Sequence, residues 1–373
     1  MSVVDATMGG MSDAVLAIGT RKGLFIARAP GDRGRWEIGP LRFTTNPVSA
    51  VAIDPSRGRL IAAVNNPFWG TGIVVSDDLG ETWSEPQRDA ADAPIAFPEE
   101  TGAALNAVWQ LRVSPVDPDV VYAGVEPAAL FRSNDGGRTF ALVEGLWEHP
   151  HRPTWQPGGG GLCLHTILLD PAQPETITVA ISTGGVYRST DGGKSWQARN
   201  RGIRAEFLSD DDPEYGQCVH KVDMHPSVPD RLFLQHHGGV YRSDDATASW
   251  TRIDAGLPAD FGFPIVVHPH RPETVYVLPL TSDMVRTPAG LRYQVCRTDD
   301  AGETWRPLTA GLPAEPVYGT VLRDAMCVDA GDPAGVYFGT RDGSVYASND
   351  EGESWTEIAR HLPDVFCVRA AVL

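Results

Sequence analysis

The feature that most constrains the fold is a short motif that recurs along the whole chain. An apolar segment runs into a turn of small polar, acidic and glycine residues, and the turn closes on an aromatic residue. Clear copies occupy residues 76–83, 133–140, 189–196, 298–305 and 348–355. A degenerate copy at 243–250 has Thr247 where the others have glycine, and a weaker copy ends at Trp36. A chain built this way is a series of similar structural units.

The residues that close the motif set the size of the unit. They are 47 to 57 residues apart, the length of one four-stranded β-propeller blade: Trp36, Trp83, Phe140, Trp196, Trp250, Trp305 and Trp355. In the turn, the third-position aspartate can accept hydrogen bonds from backbone N–H groups, and the glycine supplies a positive φ. The aromatic ring is expected to be buried between neighbouring blades.

The pattern S/T-x-D-x-G-x-T/S-W resembles the Asp box, or BNR repeat, of bacterial sialidases, sortilin-type receptors and related propellers. That superfamily includes a glycosyl hydrolase group. Five good copies and two decayed ones cover essentially the whole chain, so the resemblance implies a propeller. It implies little about activity, because the boxes of that superfamily are structural and lie on the face away from the site.

Counting strands predicts the number of blades. Residues 14–19, 23–28 and 35–38 supply only three strands before the first full blade, and residues 365–373 supply the missing inner strand. The sequence therefore predicts an all-β fold: a seven-bladed β-propeller of four-stranded antiparallel blades, with the C-terminal strand joining the N-terminal blade. It forms a single domain over residues 13–373, after a disordered leader at 1–12. The alternative is a six-bladed ring with a spare hairpin.

Charge and cysteine usage limit the partners. A formal charge of −17 argues against a nucleic-acid partner, because phosphate binding needs a basic stripe. The N-terminus has neither a basic region nor an unbroken apolar run, so no signal peptide is expected, and no segment predicts a membrane span. Five scattered cysteines fit reduced thiols in a cytoplasmic protein. The oligomeric state is not predicted.

Aligned repeats break their own pattern at two positions, which predict the site. The first, near the start of each inner strand, holds Ser49, Trp109, His165, His220, Phe263 and Asp324. The second, in the loop between the second and third strands, holds Arg21, Trp69, Glu126, Ser182, His236 and Arg341. A position that serves only the fold would be apolar in most copies. Both rings should surround the mouth of the central channel, the usual ligand site of a propeller.

His165 and His220 are the candidate metal ligands, and a divalent metal is the cofactor considered. Each lies two residues after a cysteine, Cys163 or Cys218, at matching positions of adjacent blades. A further ligand would complete a site of imidazole and carboxylate groups: Asp324, Glu214 or His236. The alternative is that the cysteines are small buried residues and the histidines are hydrogen-bonded channel lining.

Two loop regions predict substrate contacts. Arg21 and Arg341 lie in twin Gly-Thr-Arg-x-Gly loops that should be neighbours, and two guanidinium groups suit a carboxylate or another anion. A proline-stiffened loop ending in four glycines at 158–161 could cap the mouth and contact substrate through His149, His151, Arg152, Trp155 and Gln156. The alternatives are solvated arginines and a loop that packs its tryptophan on the neighbouring blade.

The function favoured by these residues is hydrolysis of a glycan or a small anionic substrate at the channel mouth. The candidate acid/base and nucleophilic residues are Glu126, Asp324, Glu214 and Tyr215, and the further substrate-binding residues are Trp69, Trp109 and His236. Sialidases have six blades and an Arg-Ile-Pro motif that this chain lacks near its N-terminus, so no catalytic pair transfers from them. Two alternatives remain: a metal-dependent enzyme, and a non-catalytic propeller that binds a protein partner.

Overall fold

The computed structural model describes residues 13–84, 93–206, 208–210 and 212–373. Its elements in chain order are β1 (Ala14–Thr20), β2 (Gly23–Ala29), β3 (Glu37–Ile38), β4 (Val48–Asp54), β5 (Arg59–Asn66), β6 (Gly70–Ser76), β7 (Ala107–Val113), β8 (Val121–Glu126), β9 (Ala129–Ser133), β10 (Ala141–Leu142), α1 (Glu144–Trp147), β11 (Leu164–Leu169), β12 (Ile177–Ile181), β13 (Gly185–Ser189), β14 (Gln197–Ala198), β15 (Val219–Met224), β16 (Leu232–His236), β17 (Gly239–Ser243), β18 (Thr251–Arg252), β19 (Gly262–Val267), β20 (Val275–Pro279), β21 (Val295–Thr298), β22 (Arg306–Leu308), β23 (Met326–Val328), β24 (Val336–Gly339), β25 (Val345–Ser348), β26 (Thr356–Ala359) and β27 (Val365–Val372). Three 3-10 turns lie at Glu99–Thr101, Arg152–Thr154 and Ala289–Leu291.

These strands form seven antiparallel sheets within the described residues, and each sheet is one blade. Blade 1 is β27-β1-β2-β3, blade 2 is β4-β5-β6, and blade 3 is β7 to β10. Blades 4 to 7 follow as β11 to β14, β15 to β18, β19 to β22, and β23 to β26. The seven-bladed prediction is confirmed, and the six-bladed alternative is wrong. No helix of the described residues is long and apolar enough to cross a bilayer.

The two ends of the chain close the ring. β27 pairs with β1 in antiparallel register from Ala14 opposite Val372 to Thr20 opposite Val365. The C-terminal strand is therefore the inner strand of the N-terminal blade, as the sequence predicts. Because every blade then has neighbours on both sides, the ring has no free inner edge.

The Asp boxes make one hydrogen-bond pattern in six turns. In the first, Ser76 Oγ accepts the N–H of Gly80, and Asp78 accepts the N–H of Thr82 at 2.8 Å. The aspartates of the other five boxes accept the equivalent N–H groups at 2.9 Å. The glycine takes a positive φ, 90° at Gly80, and in the degenerate box Thr247 takes 74°. The turn geometry therefore survives the loss of glycine, at the cost of a strained backbone.

Some closing tryptophans fasten their own turn, and others join neighbouring blades. The indole N–H of Trp196 donates to Gly193 O of its own box at 3.0 Å. In the following blades the indole instead reaches back to the preceding blade, from Trp250 to Arg199 O at 2.8 Å and from Trp305 to Ile253 O at 2.7 Å. Burying rings of this size between blades is a large share of the apolar burial that holds a propeller together.

Candidate functional site

A bulge interrupts six inner strands at the same level, next to the channel mouth, and one of the six is β27 at Phe366. The register of β4 with β5 skips Ser49, that of β7 with β8 skips Trp109, and that of β15 with β16 skips His220. The same irregularity affects β11 at His165 and β19 around Phe263. A bulged residue leaves the pleat and its side chain is re-aimed, which is why bulges recur beside active sites. Five of the six residues of the first ring are therefore bulged residues, and the sixth, Asp324, lies just before β23.

Several bulged side chains bond to the next inner strand. Ser49 Oγ donates to Val108 O at 2.7 Å, and the His165 ring donates from Nε2 to Val219 O at 2.9 Å. His220 makes the equivalent bond to Gly262 O at 2.6 Å, but from Nδ1. Each acceptor is the residue just before the next bulge. The polar side chains of this ring therefore stabilise the fold, because their hydrogen bonds connect adjacent blades around the mouth.

A cavity of about 720 Å³ opens at this end of the channel. Its inner wall is formed by bulged or neighbouring residues of the inner strands: Ser49, Ala107, Trp109, Cys218, His220, Phe261, Phe263, Leu322, Arg323, Asp324 and Phe366. Its rim comes from loops: residues 158–160, Ser182, Thr183, His237, Asp283, Met284, Arg286 and Arg341. The Asp boxes lie at the opposite ends of the strands. The volume falls in the range of small-molecule sites.

Asp324 forms the floor of this mouth cavity. Its buried carboxylate contacts Lys221 Nζ, and it lies 2.9 Å from Arg369. Burial opposes ionisation of Asp324, but the charges of Arg369 and Lys221 outweigh it and lower the pKa of the carboxyl. Lys221 and Arg369 also line a second cavity of about 270 Å³ further down the channel. Asp324 is therefore a fixed, ionised carboxylate.

Trp109 of the cavity wall is hydrogen-bonded to Glu126, a residue that does not itself line the cavity. The indole N–H of Trp109 donates to Glu126 Oε2 at 3.0 Å. A Cβ on Gly161 would lie 2.6 Å from the Glu126 carboxylate, so glycine is needed where the loop passes this group. Among the described residues no cation lies within ion-pair distance of Glu126. This carboxylate is partly exposed.

Arg323 lies between two aromatic rings in the cavity. Its guanidinium carbon is 5.1 Å from the centroid of Trp109 and 5.7 Å from that of Phe263. No hydrogen-bond acceptor among the described residues reaches its buried Nε. Arg286 also lies over Phe263, at 5.6 Å. Flat aromatic and guanidinium faces are the surfaces on which sugar rings and carboxylates bind.

Cys218, His220 and His237 cluster in the cavity wall. One ligand atom from each lies within 4.8 Å of the others, and Cys218 Sγ is 3.7 Å from His220 Nε2. The carboxylate of Asp283 is 3.7 Å from His237 Nε2. Burial lowers the pKa of His220 well below its ordinary value, so its imidazole is neutral. This is the group of side chains in the mouth that can hold a metal ion.

His165 is not part of that group. Its Nε2 bonds to Val219 O and its Nδ1 lies 3.0 Å from Thr166 Oγ1, so both ring nitrogens are used within the protein. His236 is also buried and accepts the N–H of Gly238 at 3.1 Å, and burial lowers its pKa to about 3. Of the two histidines predicted as metal ligands, the structure brings only His220 to the cavity.

The twin arginines share one carboxylate. Arg341 Nη2 lies 2.8 Å and Arg21 Nε lies 3.5 Å from Asp364 Oδ2. The two arginines are neighbours, as the sequence predicts, but both are ion-paired with Asp364 of the protein itself. Arg341 still lines the cavity. Trp69 is on the rim turn between β5 and β6, where its side chain is 62% exposed.

The loop after α1 packs on blade 4. Trp155 is 5% exposed and its indole N–H donates to Tyr187 Oη at 3.0 Å, while His151 Nδ1 is 3.1 Å from the same oxygen. The rings of His149 and Tyr215 complete this cluster. Arg152 lies over Trp147, Glu214 and Gln156 are exposed, and none of the three lines the cavity. Only the glycine segment 158–160 of this loop reaches the mouth.

Several cavity residues had no assigned role in the sequence analysis. His237 follows the predicted ring position by one residue, and Arg323 precedes Asp324 by one. Asp283 and Arg286 lie in the unusually long connection between β20 and β21. That length was the available signal, because the equivalent connection in other blades is a tight turn.

The family model described as BNR/Asp-box repeat matches residues 187–198, which run from β13 through the third complete box. The same bonding pattern recurs in six turns of a seven-bladed ring. The protein is an Asp-box β-propeller. The resemblance found in the sequence is thereby confirmed.

This propeller is similar to glycoside hydrolases and to an assembly protein. An oligoxyloglucan-reducing end-specific xyloglucanase of Emericella nidulans is 26% identical over 86% of this chain and 44% of its own length. The photosystem II assembly lipoprotein Ycf48 of Synechococcus sp. is 24% identical over 49% of this chain and 46% of its own. The chain spans less than half the length of either relative.

A solved structure supports the fold. The GH74 enzyme of Niastella koreensis superposes with a TM-score of 0.64 over 95% of this propeller and 53% of the enzyme, at 17% identity. At that identity the superposition shows the architecture alone. The chemistry has to be argued from the residues of the mouth cavity.

Proposed function

We propose that the protein hydrolyses a glycosidic bond of a glycan bound in the mouth cavity. The observation that carries this proposal is the Glu126 carboxylate, which is oriented by Trp109 and has no neutralising cation among the described residues. The cavity beside it, about 720 Å³, has room for a small saccharide. Similarity to xyloglucanases supports glycoside hydrolysis as the reaction class.

Hydrolysis of a glycosidic bond uses two carboxyl groups, one to protonate the leaving oxygen and one to assist the attack. Asp324 is unsuited to proton transfer, because Lys221 and Arg369 keep it ionised. Asp283 in blade 6 lines the cavity, and Glu126 in blade 3 is hydrogen-bonded to Trp109 of the cavity wall. We assign these two the acid/base roles.

The other walls of the cavity fit sugar recognition. Trp109 and Phe263 offer ring faces, and the guanidinium group of Arg323 lies between them. Arg286 and Arg341 on the rim add cationic donors for hydroxyl or carboxylate groups. The expected substrate is thus a saccharide, including one that bears a carboxylate.

The test is steady-state kinetics on xyloglucan oligosaccharides and on uronic-acid-containing oligosaccharides. Glu126→Gln and Asp283→Asn should each lower kcat/KM by about 100-fold or more, the usual worth of a general acid or base. The matched control is Glu214→Gln, since Glu214 is exposed and lies outside the cavity. If Glu214→Gln lost activity and Glu126→Gln retained it, the assignment of Glu126 as an acid/base residue would be wrong.

A second candidate function is non-catalytic binding of a protein. The mouth face exposes several large apolar side chains: Phe68, Trp69, Met284, Val285 and Tyr318. Exposed apolar groups of this kind are typical of partner surfaces. Tight saturable binding of a peptide with no turnover of any saccharide would favour this second function.

A further inference from the structure

We propose that Cys218, His220 and His237 bind a Zn²⁺ ion in the wall of the mouth cavity. The inference goes beyond glycan hydrolysis, and the site would be present whether or not the protein is a hydrolase. It rests on the geometry of three side chains from neighbouring positions of blade 5.

The orientation of His220 is that of a metal ligand. A carbonyl oxygen can only accept a hydrogen bond, so the 2.6 Å contact with Gly262 O places the proton of the imidazole on Nδ1. In the neutral ring Nε2 then carries the lone pair, and it faces Cys218 Sγ. A backbone carbonyl on one ring nitrogen is the usual support for a histidine that binds metal through the other.

The spacing between the first two ligands fits a tetrahedral ion. Zinc binds thiolate sulfur at about 2.3 Å and imidazole nitrogen at about 2.0 Å, which places the two ligand atoms of a tetrahedral site about 3.5 Å apart. Cys218 Sγ and His220 Nε2 are 3.7 Å apart. The ion therefore needs no rearrangement of the pair, and the thiol proton is released when it binds.

His237 supplies the third ligand and leaves an open position. It follows β16, and its ring lies 5.8 Å from that of His220, centroid to centroid. All three side chains line the mouth cavity, so the fourth position of the ion faces the space that a substrate or water would occupy. Three protein ligands with one open position is the arrangement of catalytic rather than structural zinc sites.

The ligand set selects the metal. One thiolate and two imidazoles are too soft for Mg²⁺ or Ca²⁺ and suit Zn²⁺. Arg286 and Arg323 line the same cavity, and their positive charges oppose a cation there. The Asp283 carboxylate, 3.7 Å from His237, supplies a compensating negative charge at the rim.

The adjacent blade offers a matched control. Cys163 and His165 have the same spacing as Cys218 and His220, but both nitrogens of His165 are bonded within the protein. Cys163→Ala therefore removes an equivalent thiol without touching the proposed ligands. It should leave metal binding unchanged.

The experiment is titration of chelator-treated protein with Zn²⁺, and with Co²⁺ as a spectroscopic probe. We expect one Zn²⁺ per chain and, with Co²⁺, a sulfur-to-metal charge-transfer band. Cys218→Ser should abolish the band, and Cys218→Ser and His237→Ala should each weaken Zn²⁺ binding at least tenfold. Circular dichroism of each variant shows that the fold is retained.

Two results would overturn the site. One is the absence of stoichiometric binding to the wild-type chain, and the other is a charge-transfer band that survives Cys218→Ser or disappears in Cys163→Ala. The readouts do not depend on turnover, so they are separate from the test of hydrolysis. An inactive Glu126→Gln variant that still binds Zn²⁺ would leave this inference intact.

Discussion

His165 and His220 occupy the same bulge in adjacent blades, yet they bond to the next blade through different ring nitrogens. His165 uses Nε2, and Thr166 takes its Nδ1. His220 uses Nδ1, which leaves Nε2 beside Cys218 at the cavity wall. One position of the repeat therefore serves the scaffold in one blade and the site in the next.

Removal of Asp324 should destabilise the ring. Asp324→Ala leaves Lys221 and Arg369 largely buried without their counter-charge, so the free energy of unfolding should fall by about 3 kcal/mol. Denaturant unfolding measures this. The control is Asp364→Ala, whose arginine partners are solvent-exposed, and it should cost less than about 1 kcal/mol. If both variants lost the same free energy of unfolding, the ion pairs of Asp324 would stabilise the protein no more than the exposed pairs of Asp364.

Two substitutions in the Asp boxes should act in opposite directions. Gly193 has φ of 91°, and a Cβ there would lie 2.8 Å from Val143 Cγ1, so Gly193→Ala should lower the free energy of unfolding by about 2 kcal/mol. Thr247 has a φ of 74° at the equivalent position. Thr247→Gly should therefore raise the free energy of unfolding by about 1 kcal/mol. Thermal melts compare the two. A lower melting temperature for Thr247→Gly would show that the contacts of the Thr247 side chain stabilise the fold more than its positive φ destabilises it.

Stability should fall with acid between about pH 4 and pH 2. Hydrogen bonds from the hydroxyls of Thr82 and Thr304 are the main cause that lowers the pKa of Asp78 and Asp300 to about 2, from an ordinary 3.8. A carboxyl whose pKa is lower in the folded state contributes stability above its unfolded pKa and loses it as pH falls through the folded one. Unfolding midpoints across this range measure the slope. A variant with both Thr82→Val and Thr304→Val should lose less stability as the pH falls. An unchanged dependence on pH would show that other groups cause the loss.

Trp109→Phe should separate orientation of the carboxylate from substrate stacking. The variant keeps an aromatic face but removes the N–H that donates to Glu126. A hydrogen bond to a charged group is worth about 1.5 kcal/mol, so kcat should fall about tenfold. KM for the saccharide should change little, because the ring face remains. A raised KM with unchanged kcat would make Trp109 a binding residue only.

The scaffold was predictable because its signal is local and repeated. An Asp box carries its own turn chemistry within eight residues, so the five intact copies and the degenerate copy at 243–250 each predict the same turn independently. Closure followed from counting strands at the two ends. The bulge position was also visible as a ring of residues that depart from the apolar pattern, since the same bulge recurs from blade to blade.

The site was only partly predictable, because side-chain direction depends on contacts between blades. Nothing near Arg21 or Arg341 in the sequence indicates that Asp364 takes both guanidinium groups. The proline-rich loop gives no sign that Tyr187 draws Trp155 into the core. His237 was missed for the same reason. His236 and His237 are adjacent at a turn, and the sequence does not show which of the two lines the cavity.

A crystal structure of Glu126→Gln with a xyloglucan oligosaccharide tests whether the mouth cavity binds a glycan. The predicted result is a sugar ring in the cavity, stacked near Trp109, with its glycosidic oxygen within hydrogen-bond distance of residue 126. Saccharide bound on the Asp-box face, or against the His151–Tyr215 pair outside the cavity, would contradict the account.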